Sequence, residues 1–345
     1  MDWMAVTIAD VAKQAGVSKS TVSQYLNGRY EFMSEETREK VKTAIEDLHY
    51  IPNQVARSLK QKRTNVIAIV AATLTSRFTT EIISEVERYF TKKQVDVIVA
   101  STEDDPLKEK NVIEKMIARQ VDGVLVFPNV ANREFYNKLI KSGFPIVFID
   151  RYIENVATQM IVLDNVKAGQ MATEALIKKG HQNIGIVTFP LGENDGISNR
   201  RDRINGYLIA LQKNGIDLNR ELILQTTGDE AQVNLQRFYQ EMNVSALVFT
   251  NDILLEQMLI WAKEANVKLP DDLSVVSIDD VSFARFFTPG ITTIAQPVEA
   301  IAKKAAKILD RKILGEGQQK SELFTFDPTM NERDSIKKIE KGLQK

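Results

Sequence analysis

From Ser18 to Asn27 the chain reads SKSTVSQYLN, and at helical spacing Lys19, Ser20, Thr21, Ser23, Gln24 and Asn27 share one outward face. The face is small and polar, rich in donors and acceptors, with no carboxylate to repel a phosphate. Such a helix suits the major groove, where base edges present distinct hydrogen-bond patterns. A helical hairpin with a merely solvated face is the plain alternative. A second set of chemically able residues comes after apolar runs further along. Asp150 ends IVFID, Asn251 and Asp252 follow SALVFT, Asp279 and Asp280 follow VVSI, and Gln296 follows TTIA. Arg203 lies in NRRDRINGY, after an apolar run and a glycine-containing loop. Carboxylates and amides that grip paired hydroxyls are what a sugar requires. Asp150 and Asn251 could instead each cap a helix.

Charge marks a third region. From Gln54 to Arg63 stand Arg57, Lys60, Lys62 and Arg63 with no acid, a plausible phosphate-contacting segment or a solvated basic linker. The whole chain of 345 residues carries a formal charge of −1, so the bulk charge names no partner. It has no cysteine and two histidines, His49 and His181, which leaves no disulfide, thiolate nucleophile or histidine metal cluster. No metal or cofactor is expected. A G-x-x-x-x-G-K-[ST] phosphate loop, a G-x-S-x-G elbow and a G-x-G-x-x-G after the first strand are all missing, which argues against an enzyme. Asp279 and Asp280 are paired acids, but neighbours at a strand end point in different directions. With neither a membrane-spanning run nor an export signal, a cytoplasmic protein is expected, and a transport component is disfavoured.

Ahead of the first polar face, Thr7 is a helix cap candidate for Ile8, Val11, Ala12 and Ala15, a helix of about eight residues. Gly16 supplies the permissive turn, Val17 plugs the corner and Ser18 caps the second helix, with Val22 and Leu26 inward. Ser34 caps a third helix, acidic in its first turn and supported by Val41, Ile45 and Leu48. Pro52 breaks the pattern, and Asn53 can cap a short helix over Gln54–Leu59. From Val66 onward, apolar strand runs alternate with helical segments. Strands are expected at 66–72, 95–100, 123–127 and 146–150, then at 183–189, 221–226, 245–250 and 273–280. Helices are expected near 79–92, 106–119, 133–142, 201–213, 231–241, 253–265 and 297–314. The pattern is that of two parallel α/β halves with a cleft between them, ligands sitting beyond the carboxyl ends of strands.

The strings TIADVAKQAGVSKSTVSQYLNG and YIPNQVARSLK are specific, and by them the chain resembles the LacI/GalR (lactose-repressor) family from the headpiece to about Ser335. The string SKSTVSQYLNGRYEFMS further resembles ketodeoxygluconate-type repressors within it. The resemblance implies a helix-turn-helix headpiece over 5–52, a hinge helix and linker over 53–64, and a periplasmic-binding-protein-like core over 65–335. Chain crossovers at 160–165 and 290–297 would leave an N-lobe of 65–162 and 291–320 and a C-lobe of 163–290 and 321–335. The tail 336–345, with Ile336, Ile339 and Leu343 at apolar spacing, is too short for a tetramerising coiled coil.

The resemblance also implies roles. Leu59 would wedge into the minor groove at an operator centre, kinking the DNA. The DNA-contacting set is then Thr7, Ser18, Lys19, Ser20, Thr21, Ser23, Gln24, Asn27, Asn53, Ala56, Arg57, Leu59 and Lys60. Asp150, Arg203, Asn251, Asp279 and Gln296 would contact an effector, with Phe78 as a ring-stacking wall. Arg200, Arg201 and Arg203 share one segment, and with Arg151 and Arg77 they suggest an anionic effector such as a sugar acid. Arg200 and Arg201 could instead pair with Glu193, Asp195 or Asp202 on the surface. The implied partners are double-stranded operator DNA, a sugar or sugar acid, and a second copy of the chain in a homodimer. An alternative is a catabolite-control-type regulator whose DNA binding is set by a phosphorylated carrier protein.

Overall fold

The structure, a computed structural model, describes residues 6–51, 63–192, 196–316 and 320–339. The chain forms two compact units, Met1–Thr64 and Asn65–Lys345. In the first, helices α1 (Ile8–Ala15), α2 (Lys19–Leu26) and α3 (Glu35–Asp47) enclose a small core of Val11, Ala12, Ala15, Val22, Val41, Ala44 and Tyr50. The local chemistry sets the boundaries. The Asp10 carboxylate accepts from the Thr7 N–H at 2.9 Å and from its hydroxyl at 2.6 Å, tying down the start of α1. Gly16 turns the chain with φ of +66°. Ser18 accepts from the Thr21 N–H at 3.1 Å, and Ser34 does the same for the Thr37 N–H at 3.2 Å. Val41 and Ala44 are buried in α3, while Ile45 and Leu48 pack at the core's edge. The expected hinge over 54–59, with Asn53, Ala56, Arg57, Leu59 and Lys60, lies outside the described residues.

The second unit has two lobes. Strands β1 (Val66–Ala71), β2 (Asp96–Ser101), β3 (Gly123–Val126), β4 (Ile146–Ile149) and β5 (Gln159–Leu163) form the first sheet. Strands β6 (Ile184–Thr188), β7 (Ile223–Gln225), β8 (Ala246–Phe249), β9 (Ser274–Ile278) and β10 (Thr292–Ala295) form the second. With β11 (Glu322–Phe326) and β12 (Thr329–Asn331), the orders among the described residues are β11-β5-β4-β3-β1-β2 and β12-β10-β9-β8-β6-β7. The halves therefore repeat strand for strand. All neighbours run parallel except β12, which pairs antiparallel with β10. Strands β3, β4, β5, β6, β8 and β9 are buried throughout, as expected for parallel strands covered by helices on both faces.

The lobe boundaries differ from the expected ones at two places. Residues 292–295 join the second sheet, and the return to the first begins only with α12 (Val298–Ile313), whose Ile301, Ala302, Ala305, Ala306 and Leu309 pack into the first core. Residues 322–326 belong to the first sheet, where β11 extends the edge beside β5. The third crossing, expected at 320–321, therefore falls later, between β11 and β12. Edge pairing decides this, and hydrophobic periodicity does not encode it. Helix α7 (Asn165–Lys178), also unforeseen, crosses α8 (Ser198–Lys213) at close backbone approach. A Cβ on Gly169 would stand 2.1 Å from the Arg203 carbonyl, and one on Gly206 would stand 2.0 Å from that of Val166. The segment after β12 has no helix up to Ile339; Ile336 packs on the second core, and the Ile339 N–H donates to the Lys179 carbonyl at 2.7 Å.

Candidate effector cleft and DNA-reading face

On α2 and its cap, Ser18, Lys19, Ser20, Gln24 and Asn27 are exposed, as is Thr7, while Thr21 and Ser23 are half-buried. The Ser18 hydroxyl lies 2.6 Å from that of Ser20 and 2.8 Å from that of Thr21, so the start of the helix carries a preordered hydroxyl cluster. Asn27 donates its amide to the Ser23 carbonyl at 2.6 Å, which closes the helix and leaves Lys19 and Gln24 as its long exposed donors. No carboxylate stands on this helix. The arrangement can donate to phosphates and read base edges.

A cavity of about 740 Å³ opens between the lobes of the second unit. Phe78, Asp150, Arg203, Asn251 and Asp279 all line it. Gln296 does not. Its amide donates to the Asp279 carboxylate at 2.6 Å, so it holds a cleft residue and is not itself on the wall. Asp150 and Asp279 follow the equivalent strands β4 and β9, and both take a left-handed backbone, with φ of +68° and +80°. Each is fixed there by one further ladder bond, Asp150 N–H to the Ile161 carbonyl at 2.8 Å and Asp279 N–H to that of Ile294 at 2.9 Å. Asp and Asn tolerate this region better than other side chains. Burial pushes the Asp279 carboxyl up, against the pull of Arg203. Asn251 lines the cavity and also caps α10 (Asp252–Glu264), accepting from the Leu254 N–H at 2.9 Å. Arg203 is buried, donating to the Asn165 side-chain oxygen at 2.8 Å and to the Thr250 carbonyl. Phe78 is the buried wall residue, near the start of α4 (Arg77–Thr91).

The arginines divide between the two expectations: Arg151, Arg200 and Arg203 line the cavity, and Arg201 pairs at the surface. Arg151 and Arg200 converge from opposite lobes on Asp104, Arg151 at 2.5 Å. Burial would raise the Asp104 carboxyl, but the two guanidiniums outweigh it and hold it well below the usual carboxylate range. The same burial pushes the Arg200 guanidinium down to about 10. Arg201 pairs with Asp202 at 3.2 Å and donates to the Tyr152 hydroxyl at 2.7 Å, away from the cavity. Arg77 also lies off the cavity wall; its backbone N–H donates to the Asp252 carboxylate at 2.6 Å. Glu193 and Asp195 lie outside the described residues.

Several cleft residues escaped the sequence reading. Asp104, Asn129 and Phe189 come after β2, β3 and β6, so the strand-end rule, applied to every strand, would have found them. Asp104 was hidden in EDDP, where its neighbour Asp105 is the helix cap. Asn199 donates to Asp150 across the cleft at 2.7 Å, and its own side-chain oxygen is buried with no hydrogen-bond partner among the described residues, as is the Thr250 hydroxyl. Behind Asn129 stands a buried carboxyl, Glu109. It accepts from the Asn129 N–H at 3.0 Å, the Asn132 amide at 2.7 Å and the Tyr136 hydroxyl at 2.6 Å. Burial nonetheless pushes Glu109 up to about 7.

The architecture, a helix-turn-helix unit joined to a two-lobed α/β unit with a polar cleft, has close relatives. Residues 7–53 match the model of the bacterial regulatory proteins of the lacI family, and residues 173–336 match that of a periplasmic binding protein-like domain. The chain is 46% identical to the probable HTH-type transcriptional regulator EndR of Paenibacillus polymyxa, over 97% of this chain and 100% of that protein. It is 32% identical to the HTH-type transcriptional repressor PurR of Photobacterium profundum, over 96% of this chain and 99% of that one. Among solved structures it resembles the transcriptional regulator CelR–cellobiose complex, with a TM-score of 0.70, 25% identity, and coverage of 96% and 99%. The lac repressor dimer bound to operator and the anti-inducer ONPF shares the fold, with a TM-score of 0.80, 23% identity, and coverage of 96% and 99%. The chain belongs to the lacI family of transcriptional regulators.

Proposed function

We propose that the protein represses carbohydrate-utilisation genes by binding a palindromic operator as a homodimer, with its affinity set by a sugar or sugar acid in the interlobe cleft. The observation that carries the cleft reading is the convergence of Asp150, Asn251, Asp279 and Arg203 on one cavity from both lobes, beside polar atoms of Asn199 and Thr250 that have no hydrogen-bond partner among the described residues. The solved CelR–cellobiose complex, a relative over almost the whole chain, supports a carbohydrate. One headpiece reads one half-site, so two-fold symmetry matches a palindrome. A ligand that prefers one placement of the lobes shifts the population of the DNA-binding state. In this reading Gln54–Leu59 forms the hinge and Leu59 wedges into the central step, where pyrimidine–purine steps open most cheaply.

Selection of bound DNA from a random pool, with and without candidate sugars, tests the reading. A two-fold-symmetric site whose recovery changes with a sugar supports it; an asymmetric or sugar-indifferent site overturns it. Leu59→Ala should weaken operator binding by about tenfold or more, as loss of a groove wedge implies, and leave nonspecific binding nearly unchanged. Equal losses on both DNAs would sink the wedge.

A further inference from the structure

The cavity's charge and size carry the cleft reading further, to a ligand class whose assignment rests on that reading. Three guanidiniums line it, Arg151, Arg200 and Arg203, against six carboxyls: Glu103, Asp104, Asp150, Asp229, Asp252 and Asp279. Two of the guanidiniums are held by one carboxylate, and Arg151 keeps a buried Nε–H that has no hydrogen-bond acceptor among the described residues and lies 3.5 Å from the Asp150 carboxylate. Arg151 and Arg200 share Asp104, and Arg200 also donates to the Pro190 carbonyl at 2.7 Å. Arg203 donates to the Asn165 side-chain oxygen and the Thr250 carbonyl, within the electrostatic reach of Asp279. An anionic group entering here would meet a wall with more acid than base and would have to displace Asp104 to win Arg151 or Arg200. A hydroxyl meets no such opposition, because it can donate to Asp150 or Asp279 and accept from the remaining Arg203 N–H groups.

Size points the same way. At an interior packing density of about 0.74, the cavity of about 740 Å³ accepts roughly 550 Å³ of ligand atoms, about three hexose rings of about 160 Å³ each. A single ring would leave most of the cavity unfilled. Phe189 supplies an apolar face beside that wall, with the Arg200 guanidinium 5.2 Å from its ring centre.

We infer that the cleft takes an uncharged oligosaccharide of two or three rings and discriminates against sugar acids and sugar phosphates. Asp104 is then a specificity residue: by holding Arg151 and Arg200 it withholds from anions the two cations nearest to them.

The test is native mass spectrometry of the full-length protein with mixed partial hydrolysates of cellulose, xylan, starch and pectin, since the mass of the adduct gives its ring number and acidity. The expected adduct is a neutral di- or trisaccharide, abolished by Asp150→Asn. If the adduct lost in Asp150→Asn is a uronide or a monosaccharide, the cleft reading stands and this inference is overturned. If no adduct depends on Asp150, the cleft reading itself fails and takes the inference with it. The second arm titrates glucuronate and glucose 6-phosphate into wild type and Asp104→Asn. Freeing two guanidiniums should tighten anion binding by about tenfold; unchanged or weaker binding refutes the role given to Asp104.

Discussion

Glu109 shows how burial at a single residue can set a pH dependence. Its carboxyl is fully enclosed and raised to about 7, because desolvation outweighs the hydrogen bonds from Asn132, Tyr136 and Asn129. A folded-state pKa above the unfolded value means that the native protein holds this proton more tightly than the unfolded chain does. The stability this group contributes is therefore complete below the ordinary carboxylate pKa of 4.5 and is lost as pH rises through about 7. Burial instead lowers the His181 pKa, so its contribution runs the other way, fading as pH falls below the ordinary value of 6.5. The two overlap in the wild type, so the residue must be isolated by difference. In urea unfolding, the stability gap between wild type and Glu109→Gln should shift toward the variant by on the order of 2–3 kcal/mol between pH 5 and pH 8. A gap independent of pH would show that Glu109 titrates normally. At the same scale the sequence was only partly legible. Asp150 and Asp279 could be picked out because each ends an apolar strand. Glu109 could not, because EKNVIEKM reads as an ordinary charged helix surface. Only packing against Asn129, Asn132 and Tyr136 from a later segment buries it.

At the scale of elements, the crossing of α7 and α8 places Arg203. The helices meet where Gly169 and Gly206 let one backbone lie against the other. Intrinsic propensity favours Ala over Gly by about 0.5–1 kcal/mol within a helix. Overpacking opposes it, and the methyl of Gly206→Ala would meet the Val166 carbonyl at 2.0 Å, a backbone atom with nowhere to rotate. Overpacking should win. Gly206→Ala is expected to lower core stability by about 1–3 kcal/mol in denaturant titrations, where a merely exposed helical glycine would gain stability. The strands and helices carried by a clear apolar period were legible from the sequence, including the eight strands expected between 66 and 280. Helix α7 was not, because NVKAGQMATEALIK mixes small residues into both faces, and what buries it is α8. Strand β5 and the late strands β10, β11 and β12 were not among those expected; each is defined by the strand it pairs with.

At the scale of the molecule, the lobes of the second unit are held across the cleft by a few polar contacts. The Asp252 carboxylate of the second lobe sits at the start of α4 in the first, accepting from the Arg77 N–H at 2.6 Å and the Ser76 hydroxyl at 3.2 Å. An anion at a helix N-terminus is favourable, although burial raises the Asp252 pKa and so subtracts from the gain. Asp252→Ala should therefore loosen the hold of one lobe on the other. Amide hydrogen exchange at Arg77–Thr79 is expected to accelerate by about tenfold at pH 7, while the central strands β1 and β8 keep their protection. Unchanged exchange at Arg77 would show that the carboxylate does not restrain the lobes. The helix-turn-helix unit was readable from the residues, because caps, a glycine turn and an apolar period are local signals that fix three short helices. So was the alternation of strands and helices, since buried parallel strands must be apolar throughout. Tertiary structure alone decided which lobe each late strand joins, that Gln296 serves Asp279, and that Asp104 takes both Arg151 and Arg200. Those outcomes depend on pairings between residues 16 to 163 positions apart, which no local pattern encodes.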